Sequence, residues 1–427
     1  MRTDHEHETA AESQPHGVDS AYAWLRLSVA VILSTIGGVG MWSAVVVLPV
    51  VQAEFGIARA DASLPYTLTM VGFGVGGVFM GKLVDRFGIV TPVVLGASLL
   101  GVGYFMSAHA SSIYQFTLWH GLLIGVGSSA TFAPLLADTS LWFVKRRGTA
   151  VGIIASGNYL AGTVWPPVLQ HFVQVDGWRH THLGIALFCM VTMIALSMFF
   201  RRSPPLVQPA AAMAFGGSLP TRPLGLKAGT LQSLLVIAGI ACCVAMAMPQ
   251  VHLVAYCSDL GYGAARGAQM LSVLLGCGIV SRLTFGWISD HIGGLRTLLL
   301  ASGLQTFALF LYLFSDGLVS LYLISALFGL FQGGLVPSYA IIVREYFSPK
   351  EAGGRVGTVM MATLLGMALG GWMSGVIFDF TASYRMAFAN GIIWNLLNMS
   401  IAGWLLHRAI THRGARAGTG EGKLQTR

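Results

Sequence analysis

The sequence predicts an all-α integral membrane protein with twelve transmembrane helices. Only 10% of its 427 residues are charged, against roughly 25% in a soluble domain. Hydrophobic residues make up 55% of the chain, and the mean hydropathy is +0.70. Twelve apolar stretches are long enough to cross a ~30 Å hydrocarbon core at about 1.5 Å per residue. These observations exclude both a soluble domain and a disordered chain.

The twelve predicted spans follow one another along the chain. They cover residues 25–51, 64–82, 90–108, 113–142, 149–174, 181–200, 231–256, 265–287, 296–314, 318–342, 355–378 and 386–406. Proline interrupts several of them, and neighbouring helices or pore water can satisfy the backbone groups that it frees. The first stretch is too long for a signal peptide and has no cleavage site, so it is predicted to be a span.

The distribution of basic residues predicts how the chain is oriented in the membrane. With a cytoplasmic N-terminus, four of the 25 lysines and arginines fall in outward loops (Arg59, Arg179, Arg266 and Arg385), Arg282 lies within a span, and 20 remain inside. This bias predicts a multi-pass protein of the inner (plasma) membrane with both termini in the cytoplasm. It also accounts for the net charge of +8 without a nucleic-acid partner.

Five regions are expected from the composition along the chain. Residues 1–24 form a polar cytoplasmic tail that is expected to be disordered, and residues 25–200 form an N-terminal six-helix bundle. Residues 201–230 are a proline-rich cytoplasmic linker. Residues 231–406 form a C-terminal six-helix bundle, and residues 407–427 form a second cytoplasmic tail.

The two six-helix halves carry the signature of an internal duplication. Three pairs of markers recur at nearly one offset: Asp85 and Asp290, Phe143 and Phe347, and Arg179 and Arg385, separated by 205, 204 and 206 residues. Parallel repeats of this kind, related by an axis along the membrane normal, describe one large transporter architecture. The sequence therefore predicts two pseudo-symmetric bundles.

The loop after the second span carries a family resemblance. Residues Gly81 to Gly88 read G-K-L-V-D-R-F-G and resemble the G-x-L-x-D-R-x-G loop of the major facilitator superfamily. The second copy, from Gly286 to Gly293, has His291 in place of the arginine. The resemblance covers roughly residues 25–406, and it implies the major facilitator fold, no cofactor and function as a monomer.

A finer resemblance is to the oxalate/formate antiporters and monocarboxylate transporters. Trp42 and the later segment Glu54-Phe55-Gly56 are similar to their first helix and loop. Arg282, in the segment S-R-L-T-F-G, resembles the arginine of their eighth-helix R-P-x-x-G element, which is implicated in binding the carboxylate. The chain departs from that branch at Gly278, where monocarboxylate transporters place an acid, and in lacking a basic residue over 356–378.

Arg282 is the main candidate for binding a substrate. A charge within the bilayer is costly and normally faces a partner or a wet cavity. The planar fork of an arginine suits a carboxylate. The alternative interpretation is that Arg282 extends to the cytoplasmic surface or bonds an interhelical carbonyl.

Other residues could line the same site or move a proton. His120 and His252 lie within spans and could titrate near physiological pH; the alternative for each is a hydrogen-bonded packing residue. Further candidates share a polar tip or an aromatic ring within a span: Trp42, Tyr66, Trp119, Asn158, Gln332 and Tyr339. No metal site is expected, because the five cysteines have neither metal-ligand nor disulfide spacing.

The predicted gating residues lie in the two related cytoplasmic loops and beside them. They are Gly81, Asp85, Arg86, Gly88, Asp138, Arg146, Arg147, Gly286, Asp290 and Gly293. Asp138 is interpreted as a gate residue that pairs with Lys145 or Arg146, with a proton site as the alternative. The alternative interpretation of the basic cluster Lys145-Arg146-Arg147 is that it only sets the positive-inside orientation of the chain.

Together these features predict a secondary transporter that moves a small organic anion by alternating access. The cargo would be a monocarboxylate or a short dicarboxylate, moved by proton symport or by anion exchange. An exporter of drug-like, apolar or cationic compounds is the first alternative, and a ligand sensor is the second. No phosphate-binding loop of the G-x-x-x-x-G-K-[ST] type is present, and no enzyme activity is expected.

Overall fold

The computed structural model describes residues 18–143, 146–202 and 223–421. Almost all of them are helical, and we number the spans in chain order. The spans are α1 Ala21–Phe55, α2 Arg59–Phe87, α3 Val90–Ala108, α4 Ile113–Trp142, α5 149–176, α6 178–200, α7 Ala228–Asp259, α8 Ala264–Ile292, α9 Gly294–Leu313, α10 Leu318–Tyr346, α11 Pro349–Thr381 and α12 Tyr384–Glu421.

The described helices account for twelve crossings. Ten of the described helical stretches are long and apolar enough to cross a membrane. One of these, Thr149–Phe200, has 52 residues and leaves helical geometry at Gly177, where φ is 79°. This stretch would be about 78 Å long if it were straight, so it crosses twice, as α5 and α6. The remaining crossing is α12, in which Asn395 and Asn398 are buried. The predicted fold class is therefore confirmed.

The helix ends differ somewhat from the predicted ones. α1 begins at Ala21, earlier than residue 25, because the Ser20 side chain accepts a hydrogen bond from the Ala23 backbone at 3.2 Å and caps the helix. α12 continues to Glu421, beyond the apolar stretch. Residues 203–222 of the predicted linker lie outside the described residues, as do 1–17 and 422–427 of the predicted tails.

The two halves meet most extensively along two helix pairs, α2 with α11 and α5 with α8, and α1 also contacts α7. The first pair touches closely: a Cβ added to Gly375 would lie 2.9 Å from the Ala60 Cα, and one added to Gly74 would lie 2.7 Å from the Met361 sulfur. The Thr67 hydroxyl also donates to the Ala368 carbonyl at 3.2 Å. Small residues thus let the helices of the two halves pack backbone to backbone.

The two ends of the molecule differ in how the halves meet. One end carries Arg59, Asp259 and Tyr384, which bond to each other across the halves, and we call it the latch end. The opposite end carries the loops around Asp85 and Asp290, and we call it the loop end. Near the loop end, a Cβ added to Gly81, Gly286 or Gly353 would find no described atom within 4 Å. The halves are therefore bonded together at the latch end, whereas these three glycines at the loop end face open space.

Candidate functional site

Arg282 lies in α8 where this helix packs against α5 of the other half. Its Nη1 donates a hydrogen bond to the Ala155 carbonyl at 3.0 Å, and its guanidinium carbon lies 4.4 Å from the ring centre of Tyr159. Nε is buried and has no hydrogen-bond partner among the described residues. One of the five N–H donors of Arg282 therefore bonds a backbone carbonyl of the other half. Other donors of this side chain remain free to bind a ligand at the interface between the halves.

Glycines make this approach of α5 and α8 possible. A Cβ added to Gly278 would lie 2.4 Å from Cε1 of Tyr159, so any side chain there would displace the ring beneath Arg282. One added to Gly162 would lie 2.8 Å from the Trp42 indole. The ring of Tyr159 consequently meets the Arg282 charge with a π face, and Trp42 packs one turn further along α5.

A break in α10 brings Gln332 to the same place. The helix stops at Gln332 and resumes at Leu335, and between them the Gly333 backbone donates to the Ser281 hydroxyl at 3.0 Å. Gln332 precedes Gly333 and Arg282 follows Ser281, so both residues adjoin this contact between α10 and α8. The Gln332 side-chain oxygen Oε1 accepts a hydrogen bond from Nε2 of Gln250 at 2.8 Å.

Three nitrogen donors of this region are buried without a partner in the described part of the chain. They are Trp42 Nε1, Arg282 Nε and Gln332 Nε2, from α1, α8 and α10. A buried donor without an acceptor costs roughly 1–3 kcal/mol, so buried polar groups in proteins are normally satisfied. Buried donors that lack an acceptor are the groups that a bound anion would satisfy.

His252 and Tyr66 lie nearer the latch end, and both contact Gly371. The Nε2 of His252 lies 2.7 Å from the Gly371 carbonyl, and its Nδ1 lies 3.3 Å from the Tyr384 hydroxyl. Tyr66 packs against the same glycine, since a Cβ there would lie 3.1 Å from its ring. His252 thus connects α7 with α11 and α12.

His120 is held inside the N-terminal half, at the start of a π-helical segment of α4. Its Nδ1 lies 3.0 Å from the Phe116 carbonyl, and its ring centre is 5.8 Å from that of His182. Nε2 is buried and has no partner within the described ranges. The structure therefore separates His120 from Arg282, and Trp119, partly buried just before it, belongs to the same segment.

Two other predicted site residues contact groups other than Arg282. The Tyr339 hydroxyl donates to Asn398 at 2.8 Å, and Asn398 in turn donates to Ser302 at 2.7 Å, all inside the C-terminal half. Asn158 is partly buried beside Gly38, at the break in α1.

The predicted gating loops are exposed. Asp85, Arg86 and Asp290 are all solvent-accessible, as is Arg146. Gly88 and Gly293 end α2 and α8 at φ 75° and 82°, a left-handed backbone that glycine adopts without strain. Gly81 and Gly286 lie one to two turns earlier on the same helices. Lys145 and the Arg147 side chain lie outside the described residues.

Asp138 lies at the loop end but is bonded within its own half. Its carboxylate accepts from Arg26 Nε at 2.9 Å and from Nη2 at 2.8 Å, and both side chains are at least 95% buried. Arg26 also lies over the rings of Trp142 and Phe200. Sequence reasoning counted Arg26 only as a topological charge. A basic residue just inside the start of a predicted apolar span was the signal for this partner.

The latch joins the two halves through one arginine that sequence reasoning placed in a loop. Arg59 Nη1 donates to the Tyr384 hydroxyl at 2.7 Å, and Nη2 donates to Asp259 at 3.1 Å. The backbone N–H groups of Arg59 and Ala60 donate to the Asp379 carboxylate at 2.8 and 2.7 Å and so cap α2. We call Arg59, Asp259, Asp379 and Tyr384 the latch.

Comparisons with known proteins agree with this architecture. The family model described as Major Facilitator Superfamily matches residues 30–328 and 303–426. Monocarboxylate transporter 13 of Bos taurus is 28% identical over 77% of this chain and 75% of its own. The Agnestins efflux protein of Paecilomyces divaricatus is 24% identical over 85% and 84%. A solved bacterial homologue of the human lysosomal transporter Spinster shares the fold, with a TM-score of 0.67 at 13% identity over 93% and 97%.

Proposed function

Because the chain belongs to the major facilitator superfamily, whose members are transporters and not enzymes, we propose that it moves a small organic anion by alternating access. The observation that carries the proposal is Arg282, a guanidinium between the two halves with donors left over. Its similarity to monocarboxylate transporters supports the same class of cargo.

The surroundings of Arg282 support a single negative charge on the cargo. Tyr159 occupies the space beside Gly278, where monocarboxylate transporters place an acid, so the arginine charge meets a π face here. The other unpartnered donors, on Trp42 and Gln332, are neutral. One cation with neutral donors around it suits a monocarboxylate better than a dicarboxylate, because a second carboxylate would lie in a low dielectric without a counter-charge.

The proposal includes the orientation of the protein in the membrane and the ion to which transport is coupled. The positive-inside distribution supports cytoplasmic termini in the plasma membrane, which places the loop end inside and the latch end outside. The protein would act as a monomer, with gating at the loops of Asp85 and Asp290. Proton symport and anion exchange are the two coupling modes that this site allows.

Uptake into proteoliposomes tests the proposal. We expect saturable uptake of labelled lactate, pyruvate or formate, weaker uptake of oxalate, and a response to an inward proton gradient if protons are co-transported. Arg282→Ala should lower uptake about 30-fold or more, which corresponds to losing about 2 kcal/mol of charged hydrogen bonding. Arg282→Lys should also lose most activity, since an ammonium cannot form the bidentate fork.

The matched control is Arg266→Ala. Arg266 lies on the same helix, is exposed, and bonds only to the Gln269 side chain among the described residues, so uptake should be unchanged. Failure of well-reconstituted wild-type protein to take up any acid would reject the anion cargo.

An exporter of apolar compounds is the second candidate, favoured by the similarity to a fungal efflux protein and by the apolar central cluster that holds Trp42, Tyr66 and Tyr159. It predicts that Arg282→Ala preserves transport of the exported compound. The same reconstituted variants, loaded with lipophilic dyes, therefore separate the two functions.

A further inference from the structure

A chain of hydrogen bonds links a histidine inside the membrane to the latch. The Gly371 carbonyl can only accept, so the Nε2 of His252, 2.7 Å away, carries the proton. In the neutral ring Nδ1 is then an acceptor, and it receives the Tyr384 hydroxyl at 3.3 Å. The same hydroxyl oxygen accepts from Arg59 Nη1 at 2.7 Å. Every proton in this chain points from Arg59 towards Gly371.

This hydrogen-bond arrangement is compatible only with the neutral form of His252. A second proton, on Nδ1, would point at the Tyr384 oxygen, which already accepts from Arg59. Two cations would then donate to one phenol oxygen, and the Tyr384 proton would lose its acceptor. His252 and Tyr384 are buried, so this repulsion acts in a low dielectric.

The charges around His252 come from each element that packs against it. Arg59 approaches from the start of α2, Asp379 from the end of α11, and Tyr384 from the start of α12. On α7 itself, Asp259 accepts from Arg59, and the Tyr256 hydroxyl bonds Asp316. Both oxygens of Asp379 are occupied by the α2 backbone. The group that a proton on His252 meets directly is therefore the Tyr384 hydroxyl shared with Arg59.

Arg59 is the group in this network that can move away from its partners. Its side chain is 7% exposed, but Asp259 is 35% exposed and so keeps contact with water after the pair separates. Arg59 Nε is buried and lacks a partner within residues 18–143, 146–202 and 223–421. Displacing the guanidinium from Tyr384 removes the contact that joins the start of α2 to α12.

We propose that His252 is a proton-binding site whose occupancy opens the latch. The neutral histidine completes the side-chain bonds that join Arg59 to the C-terminal half, and the protonated histidine displaces Arg59 and favours the state that is open there. The proposal rests on alternating access but not on the class of cargo.

The distance between the halves at the latch end tests it without any substrate. Tyr114 and Val319 are exposed, at 73% and 72%, in the first turns of α4 and α10, and occupy equivalent positions in the two halves. Spin labels on Cys at these positions, in protein carrying Cys277→Ser, report the separation in detergent. We expect the distance to increase by several ångströms as the pH falls from about 8 to about 4.5, a range chosen to span histidine titration.

Three variants identify the responsible group. His252→Gln cannot take up a proton and should keep the short distance at every pH. Tyr384→Phe removes the shared oxygen and should give the long distance throughout. The matched control is His182→Gln, a buried histidine bonded to Ser107 within the N-terminal half, which should respond to pH as the wild type does.

The opposite results overturn the proposal. They are a wild-type distance that does not change with pH, a pH response that persists in His252→Gln, or one that is lost in His182→Gln. If His252→Gln does not give a monodisperse protein, a pH response retained by Tyr384→Phe rejects the proposal. Because no cargo is present, each of these outcomes leaves the proposal of an anion carrier standing.

Discussion

Each end of the molecule carries a buried arginine paired with an aspartate. At the loop end, Arg26 holds Asp138 within the N-terminal half, and their side chains are 3% and 5% exposed. At the latch end, Arg59 holds Asp259 of the opposite half, and these side chains are 7% and 35% exposed. Both arginines also lie over aromatic rings. The chemistry is the same, but the parts of the protein that it joins are different.

The difference separates stability from conformational change. A pair inside one rigid half moves with that half and persists in every state of the transport cycle. A pair across the halves must break whenever that end opens, and the water contact of Asp259 lowers the cost of breaking it. Arg26 should therefore govern folding, whereas Arg59 should govern the balance between states.

The largest effect is expected from Arg26→Ala. It leaves Asp138 buried without a partner, so the free energy of unfolding should fall by about 3–5 kcal/mol, visible as a lower thermal midpoint in detergent. The double variant Arg26→Met with Asp138→Leu should recover much of this loss, because it removes both buried charges. Equal melting of wild type and Arg26→Ala would contradict the assignment.

Arg59→Gln is expected to change the state of the protein and to lower the free energy of unfolding less than Arg26→Ala, because the latch can open without unfolding. The charged bonds to Asp259 and Tyr384 are worth about 1.5–3 kcal/mol each, so the closed latch should lose at least about tenfold in population. The labels at positions 114 and 319 should report the longer distance even at neutral pH. Arg26→Ala serves as the control, since it should lower stability and leave this distance unchanged.

A weaker shift in the same direction is expected from Asp259→Asn. The asparagine oxygen still accepts from Arg59, and the carboxylate that it replaces is partly hydrated, so about 0.5–1.5 kcal/mol should be lost. The label distances should therefore show a mixture of the two states. A shift as complete as that of Arg59→Gln would mean that Asp259, and not Tyr384, is the main partner.

The smallest effect is expected from Arg179→Gln. This arginine pairs with Glu54 inside the N-terminal half, but the two side chains are 39% and 37% exposed. Exposed pairs contribute about 0–1 kcal/mol, so neither the thermal midpoint nor the label distance should change appreciably. A marked change in distance would show that this end responds to charge in general and not to Arg59.

The sequence was most informative about residues that break the apolar pattern. Arg282 was identifiable because a charge stands within a span. Its contacts with the other half are compatible with the proposed anion site. Arg59 was assigned only a topological role, because the pattern places it in a loop and gives no sign of a partner 200 residues away. Asp138 was expected to pair with a nearby basic cluster, whereas its bonds are to Arg26, more than 100 residues earlier.

Composition and hydropathy determined that this chain lies in a membrane, crosses it twelve times and consists of two related halves, because apolar length and internal repetition are properties of the chain itself. The tertiary structure alone decided which charges meet, that the latch bonds the two halves together at one end, and that His252 touches Tyr384. Those contacts depend on how the two halves pack against each other. Helices from distant parts of the sequence supply them, and no local pattern records their pairing.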